Sequence, residues 1–179
     1  ILKPMSYKSP IEDFKYNLAM LNYDEVIAGI EKFKEYDSET LMSVVSEIGR
    51  LNEQEVLDSN KIGDREGLKY VTDGAEGPEV HTPERFKKLY DAVKSSGYVG
   101  ATMPTQYGGG GAPFTTAILA GEIGIAANMA FYMGPGLSHG AMKTILKKAT
   151  EELKDKYLPN MTSCLLYTSR AHETEQHLV

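Results

Sequence analysis

The sequence predicts an all-α domain, a helical bundle with orthogonal and up-down packing and one short hairpin near residues 69–81. Three observations carry this. Apolar residues recur at spacings of three and four along most of the chain, the period of an amphipathic helix. The stretch 114–127 holds a single charge, Glu122, and so reads as a helix buried at the centre of the bundle. Only 69–72 and 79–81, on either side of Asp73-Gly74-Ala75-Glu76-Gly77-Pro78, read as extended. With 179 residues, 41 % apolar and 25 % charged, the chain has the size and composition of one ordinary domain.

Taken in order, Ser9-Pro10 marks a turn, and Ile11, Phe14, Leu18 and Leu21 fit a short amphipathic helix. Residues 23–33 are expected to form a second helix capped by Asn22, with Val26, Ile27 and Ile30 on one side. Asp37 or Ser38 can cap a longer helix over 38–57, whose stripe is Leu41, Val44, Val45, Ile48 and Leu51. Asp58-Ser59-Asn60-Lys61-Ile62-Gly63-Asp64 is a run of turn formers and is expected to end it. Thr82-Pro83-Glu84 reads as a helix start: a cap, a proline that loses no needed amide, and an acid at the positive end of the dipole. Phe86, Leu89, Tyr90 and Val93 continue that helix until Gly97 ends it. Gly108 to Gly111 breaks regular structure and Pro113 starts the apolar helix. Residues 138–149 form another helix with Met142, Ile145 and Leu146 inward, and Thr150 caps a last one that Pro159 closes.

The formal charge of −6 leaves no basic field to gather phosphates, which argues against nucleic acid as the main partner and against an anionic membrane surface. No run of some 18 apolar residues and no signal-peptide core are evident, so a cytoplasmic protein is expected; Met5-Ser6-Tyr7 reads as an initiator. Cys164 is the only cysteine, which rules out an internal disulfide and a cysteine-based metal cluster. His81 and His139 have no acidic companions at ligand spacing, so no metal is expected. The glycine run lacks the Gly-Lys-Ser/Thr of a P-loop and the spacing of a dinucleotide fingerprint, and is read as a permissive turn. The Lys87-Lys88 and Lys147-Lys148 pairs read as solvated faces.

Gly97-Tyr98-Val99-Gly100, Pro104-Thr105-Gln106-Tyr107-Gly108-Gly109, the apolar helix with Glu122, and Tyr157-Leu158-Pro159-Asn160-Met161 follow one another in an order and spacing that resembles the amino-terminal domain of acyl-CoA dehydrogenases. Ala127-Asn128-Met129-Ala130-Phe131 and Asn60-Lys61-Ile62-Gly63-Asp64-Arg65-Glu66-Gly67 resemble the bacterial branch that includes methylmercaptopropionyl-CoA dehydrogenases, although Asp58-Ser59 stands where that branch tends to have proline and an apolar residue. The resemblance covers about residues 7–163. It implies one helical domain over 1–163, the first part of a larger enzyme whose later sheet and helical domains bear the flavin motif and the glutamate base. Cys164-Leu165-Leu166-Tyr167-Thr168-Ser169 matches a translated transposase-adapter sequence, so 164–179 is expected to be a non-native, disordered tail.

The implied reaction is α,β-desaturation of an acyl-CoA thioester by an FAD-dependent oxidoreductase, homo-oligomeric when intact and coupled to an electron-transfer acceptor. No catalytic residue is expected here: Glu122 reads as a paired structural carboxylate, and the fragment itself as inactive. The resemblance places the wall of the acyl slot on Phe131, Tyr132, Pro135 and His139, and two aromatics and a proline there imply a short or medium acyl group. Ordinary core packing is the competing reading of the same four residues. A non-catalytic helical interaction module of the same fold is the alternative to the enzyme.

Overall fold

The computed structural model describes residues 7–74 and 77–164, a mostly helical bundle with one antiparallel pair of strands. Helix α1 (Ile11–Met20) buries Phe14 and Leu18. The helix expected over 23–33 does not form as such: a wide turn at Asp24–Ala28 is followed by a tight turn at Glu31–Phe33. Tertiary ties decide the matter. The Asp24 carboxylate accepts from both the amide and the hydroxyl of Ser38 at 2.6 Å, and Asn22, in the left-handed region at φ 50°, bonds Glu25 instead of capping.

Helix α2 (Ser38–Leu51) begins as the sequence predicts, with the Asp37 carboxylate accepting from the Thr40 amide at 2.8 Å, and it buries Leu41, Val45 and Ile48. The expected stop at 58–64 is corrected: a wide helical turn at Asn52–Val56 leads into α3 (Leu57–Glu66). Ser59 turns its hydroxyl back to the Val56 carbonyl at 2.5 Å, and Gly63 leaves room for the Phe86 ring, which a Cβ there would meet at 2.7 Å. These small residues serve packing, and packing overrides local propensity. The chain leaves α3 at Gly67, φ 62°. Strands β1 (Lys69–Gly74) and β2 (Gly77–His81) form the expected hairpin, Tyr70 opposite Val80 and Val71 opposite Glu79.

Helix α4 (Glu84–Ser96) starts one residue later than expected, with Pro83 rather than Thr82 in the cap position, and stops at left-handed Gly97. Helix α5 (Phe114–Lys148) is the axis of the bundle and contributes to all three core clusters. Ala120 and Ile123 pack with α1 and α2; Ala127, Phe131 and Tyr132 with Val56, Leu89 and Val93; Met142 with Met103, Tyr107, Leu158 and Met161. Its burial is one-sided, however: Phe114, Ile118, Ile125, Met129, Met133 and Leu137 are each more than half exposed. By length and composition alone α5 could span a bilayer, with an 18-residue window of mean hydropathy 1.4, which the reading by uninterrupted apolar runs did not register. Here it is the central helix of the bundle and bends at Asn128, whose φ of −158° and ψ of 92° leave helical geometry.

Helix α6 (Glu151–Thr162) is capped by Thr150 as expected, yet Pro159 lies inside it rather than closing it. Of the expected tail, residues 165–179 lie outside the described residues. Cys164 is described, and its carbonyl accepts from the Tyr90 hydroxyl at 3.1 Å.

Candidate functional site

The glycine run folds back on the preceding turn. Amides of Gly108 and Gly109 donate to the Thr105 and Pro104 carbonyls, and those of Gly110, Gly111 and Ala112 to the Gly100, Met103 and Ala101 carbonyls, all at 2.8–3.3 Å. A Cβ on Gly109 would stand 2.1 Å from the Met103 carbonyl oxygen, so only glycine permits the approach. The Tyr36 hydroxyl locks the turn by donating to the Gly110 carbonyl at 2.6 Å. With all five amides committed internally, the run has none left to cradle a phosphate. Its work is to lay 98–102 across α5.

Asn128 sets the second side. Its carboxamide oxygen accepts from the Phe131 amide at 3.1 Å, the arrangement of a helix N-cap three residues ahead. Its nitrogen donates to Ser59 at 2.8 Å, so the bend in α5 is tied to α3 in the interior. The residues that follow, from Phe131 to His139, take their direction from this cap.

Tyr132, Pro135 and His139 then line one cavity of about 120 Å³, closed from the other side by Tyr98, Thr102 and Thr116. The Tyr98 and Tyr132 rings lie 6.2 Å apart at 44°. Their hydroxyls come near each other and near Asn52, yet neither reaches hydrogen-bond geometry, nor does the buried Thr116 hydroxyl. Burial raises both tyrosine pKa values, so both remain protonated donors. His139 is half-buried, its Nε2 sits 3.1 Å from the Thr102 hydroxyl, and burial with the nearby Lys143 charge pushes its pKa down. It is a neutral imidazole at pH 7. Among the described residues no carboxylate, lysine or arginine lines the cavity, so it can hold and orient a neutral group but offers no strong base.

Phe131 faces elsewhere. It stacks edge-on against Phe86, ring centroids 6.0 Å apart, and borders an open groove of about 1140 Å³ between α3, α4 and α5, which Pro135 also touches. The four sequence-derived wall residues are thus divided between two concavities that meet at Pro135. Glu122 is exposed and makes no ion pair among the described residues, which corrects the expectation of a paired carboxylate: it shares the solvent face of α5 with Ile118 and Ile125. The sequence reading gave no role to Thr102, Thr116 or Asn128. A lone asparagine three residues before an aromatic, inside an apolar run, was the available signal for the cap.

The family model described as "Acyl-CoA dehydrogenase, N-terminal domain" matches residues 69–164. Among curated proteins, the chain is 26 % identical over 157 residues to 3-methylmercaptopropionyl-CoA dehydrogenase of Ruegeria pomeroyi, an alignment that covers 88 % of this chain and 26 % of the relative. It is 33 % identical over 105 residues to butyryl-CoA dehydrogenase of Syntrophomonas wolfei subsp. wolfei, which covers 59 % of this chain and 17 % of that protein. The chain therefore aligns with about a quarter or less of the length of either relative.

Proposed function

The chain belongs to the acyl-CoA dehydrogenase N-terminal domain family, and from that premise we propose that it is the helical amino-terminal part, residues 1–163, of an FAD-dependent oxidoreductase that desaturates the α,β bond of a short or medium acyl-CoA. The observation that carries the size class is the 120 Å³ cavity, which suits a short acyl tail and not a long one. Both named relatives act, by their names, on short acyl groups. In this reading Tyr132, Pro135 and His139 wall the tail, Phe131 borders the same path across Pro135, and Asn128 keeps their helix in register.

What this domain contributes is positioning and exclusion of water from the reacting carbons. The base that takes the α-proton is assigned to none of the described residues. The glycine turn does not fit a flavin pyrophosphate because its amides are spent, and in this reading the flavin is held by other parts of the intact protein. The exposed apolar face of α5 fits an interface with those parts. The intact protein is proposed to be a cytoplasmic homo-oligomer that passes electrons to a separate acceptor, with neither nucleic acid nor membrane as partner, and 164–179 to be a non-native tail.

The test is the protein encoded by the uninterrupted gene. It is expected to purify yellow and to lose its flavin absorbance when butanoyl-CoA or 3-methylthiopropanoyl-CoA is added without an acceptor. A colourless protein that leaves both thioesters unchanged and instead binds another protein would replace the enzyme by a helical interaction module.

A further inference from the structure

The hairpin of β1 and β2 stands off the bundle. Among the described residues its strands pair only with each other, and no helix makes an extended contact with either. Tyr70 and Val80, opposite one another in the ladder, are 67 % and 60 % exposed, and Leu68 beside them is as open as Tyr70. A lone two-stranded hairpin is marginal in water and gains from further strands. Its outer edges are rows of backbone groups that another strand can meet.

The two edges are not equal. Strand β2 contains Pro78, which has no amide to donate, and it has Glu79 at its middle, so a copy laid antiparallel on it about that residue would set Glu79 against Glu79. Strand β1 reads Lys69-Tyr70-Val71-Thr72-Asp73-Gly74, free of proline and rich in residues that suit a strand. An antiparallel pairing of a strand with its own copy is centred on one residue, because opposed residues turn their backbone groups the same way. Centred on Val71, it sets Lys69 opposite Asp73 twice and Tyr70 opposite Thr72 twice. Centred on Tyr70 or on Thr72, it brings no unlike charges together. Neither Lys69 nor Asp73 has an ion pair among the described residues, whereas Glu79 and His81 engage each other at 3.0 Å.

We propose that the outer edge of β1 docks β1 of a second copy of this chain, the two joining about a twofold axis at Val71 into a continuous sheet in the order β2, β1, β1, β2. On one face Val80, Tyr70 and Thr72 of the second copy stand in a row; on the other, Lys69 of each copy meets Asp73 of its mate. The bulge after Val71 shifts the outer pairs, and Lys69, on a flexible four-carbon stem, spans the shift. An edge lysine and a bulge are also what keep a natural edge from pairing at random. A strand that brings an aspartate to that lysine is the one they admit. The proposal rests on the hairpin and on nothing in the enzyme reading.

The experiment uses the full chain carrying Met129→Lys and Met133→Lys, so that association through the exposed stripe of α5 is removed. Sedimentation equilibrium is expected to show a dimer. Lys69→Asp and Asp73→Lys should each weaken it roughly tenfold, since each turns two cross-strand attractions into repulsions. The double variant Lys69→Asp with Asp73→Lys should return to within about threefold of the starting affinity, because the swap restores both pairs. A second measurement needs no lysines on α5: with Cys164→Ser, Val71→Cys should oxidise to a cross-linked dimer much faster than Tyr70→Cys, because only a residue on the axis meets itself. A monomer at millimolar concentration, a double variant no tighter than the singles, or equal cross-linking at 70 and 71 overturns the proposal. Neither flavin nor thioester enters these measurements, so that outcome leaves acyl-CoA oxidation standing, and loss of the flavin-bleaching result leaves the dimer intact.

Discussion

Replacing Asn128 with alanine removes both ties that hold the bend in α5. The Phe131 amide loses its acceptor, 3.1 Å away, and stays in the interior, where Asn128 itself is 1 % exposed. Ser59 loses the donor at 2.8 Å but keeps its own bond to the Val56 carbonyl, so it is not left empty. An orphaned buried amide costs about 1–3 kcal/mol and a lost neutral hydrogen bond about 0.5–1.5 kcal/mol, which places Asn128→Ala at about 2–4 kcal/mol of destabilisation. For a chain of this length that is a fall in Tm of roughly 5–15 °C. Urea and thermal unfolding of the two proteins side by side measure it. A double-mutant cycle with Ser59→Ala should show coupling of about 0.5 kcal/mol or more, because the two side chains share one bond. A loss below about 0.5 kcal/mol, the scale of a surface substitution, would mean that α5 bends for another reason and that Asn128 does not position Tyr132 and His139.

Glycines in the same structure should respond in opposite directions. At Gly100 an added Cβ would meet the Thr162 side chain at 2.6 Å and its carbonyl oxygen at 2.8 Å, so Gly100→Ala should cost about 1–3 kcal/mol by overpacking. At Gly136, where nothing lies within 4 Å, alanine should stabilise α5 by about 0.5–1 kcal/mol; equal unfolding midpoints for both variants would contradict the packing. His139, its pKa depressed by burial, contributes stability that is present above the unfolded value near 6.5 and is lost as pH falls through the lower folded value. His139→Gln should therefore flatten part of the acid side of the stability profile, and an NMR titration of the His139 ring with a midpoint at or above 6.5 would refute the assignment. Finally, the exposed stripe on α5 should make the isolated chain self-associate, and Met129→Lys with Met133→Lys should shift sedimentation toward monomer; a wild-type chain that sediments as a monomer at high concentration would deny the stripe that role.

The elements that were legible in the sequence are those whose signals are local. Asp37 ahead of Leu41, Val45 and Ile48 fixes α2 from its cap and stripe, Gly97 ends α4, and the turn residues between 72 and 79 fix the hairpin. What the sequence hid depends on partners far along the chain. Residues 58–64 look like a turn because serine, asparagine and glycine lower helix propensity, and become helix because Ser59 meets Asn128, 69 residues on, and Gly63 admits Phe86. The stretch 23–33 has a helical period and loses the helix to Asp24, which is spent on Ser38, 14 residues away. The same limit applies to the site. Spacing placed Tyr132, Pro135 and His139 on one helix, and they share a cavity; it could not show that Phe131, whose ring touches that of Tyr132 edge-on at 5.3 Å, borders the neighbouring groove instead, nor that Tyr98 and Thr116 complete the wall.

Helix α5 also shows why a nearly uncharged helix need not be buried all round. Its inner side sets large residues, Ile123, Tyr132 and Met142, beside small ones, Ala120, Gly124 and Ala127, and the small ones allow close approach: a Cβ on Gly124 would stand 2.8 Å from the Tyr132 ring. Its outer side, from Phe114 to Leu137, carries large residues that are more than half exposed, with the Lys143 ammonium over the Phe114 ring. Large apolar residues on both sides suit a helix that packs into a core on one side and, in the proposed intact protein, meets another folded body on the other. Asn128 stands at the bend between the two halves, with Gly124 before it and Tyr132 after it in close approach. The bend lets one apolar helix serve both faces, which is why the cap and the cavity should fail together when Asn128 is removed.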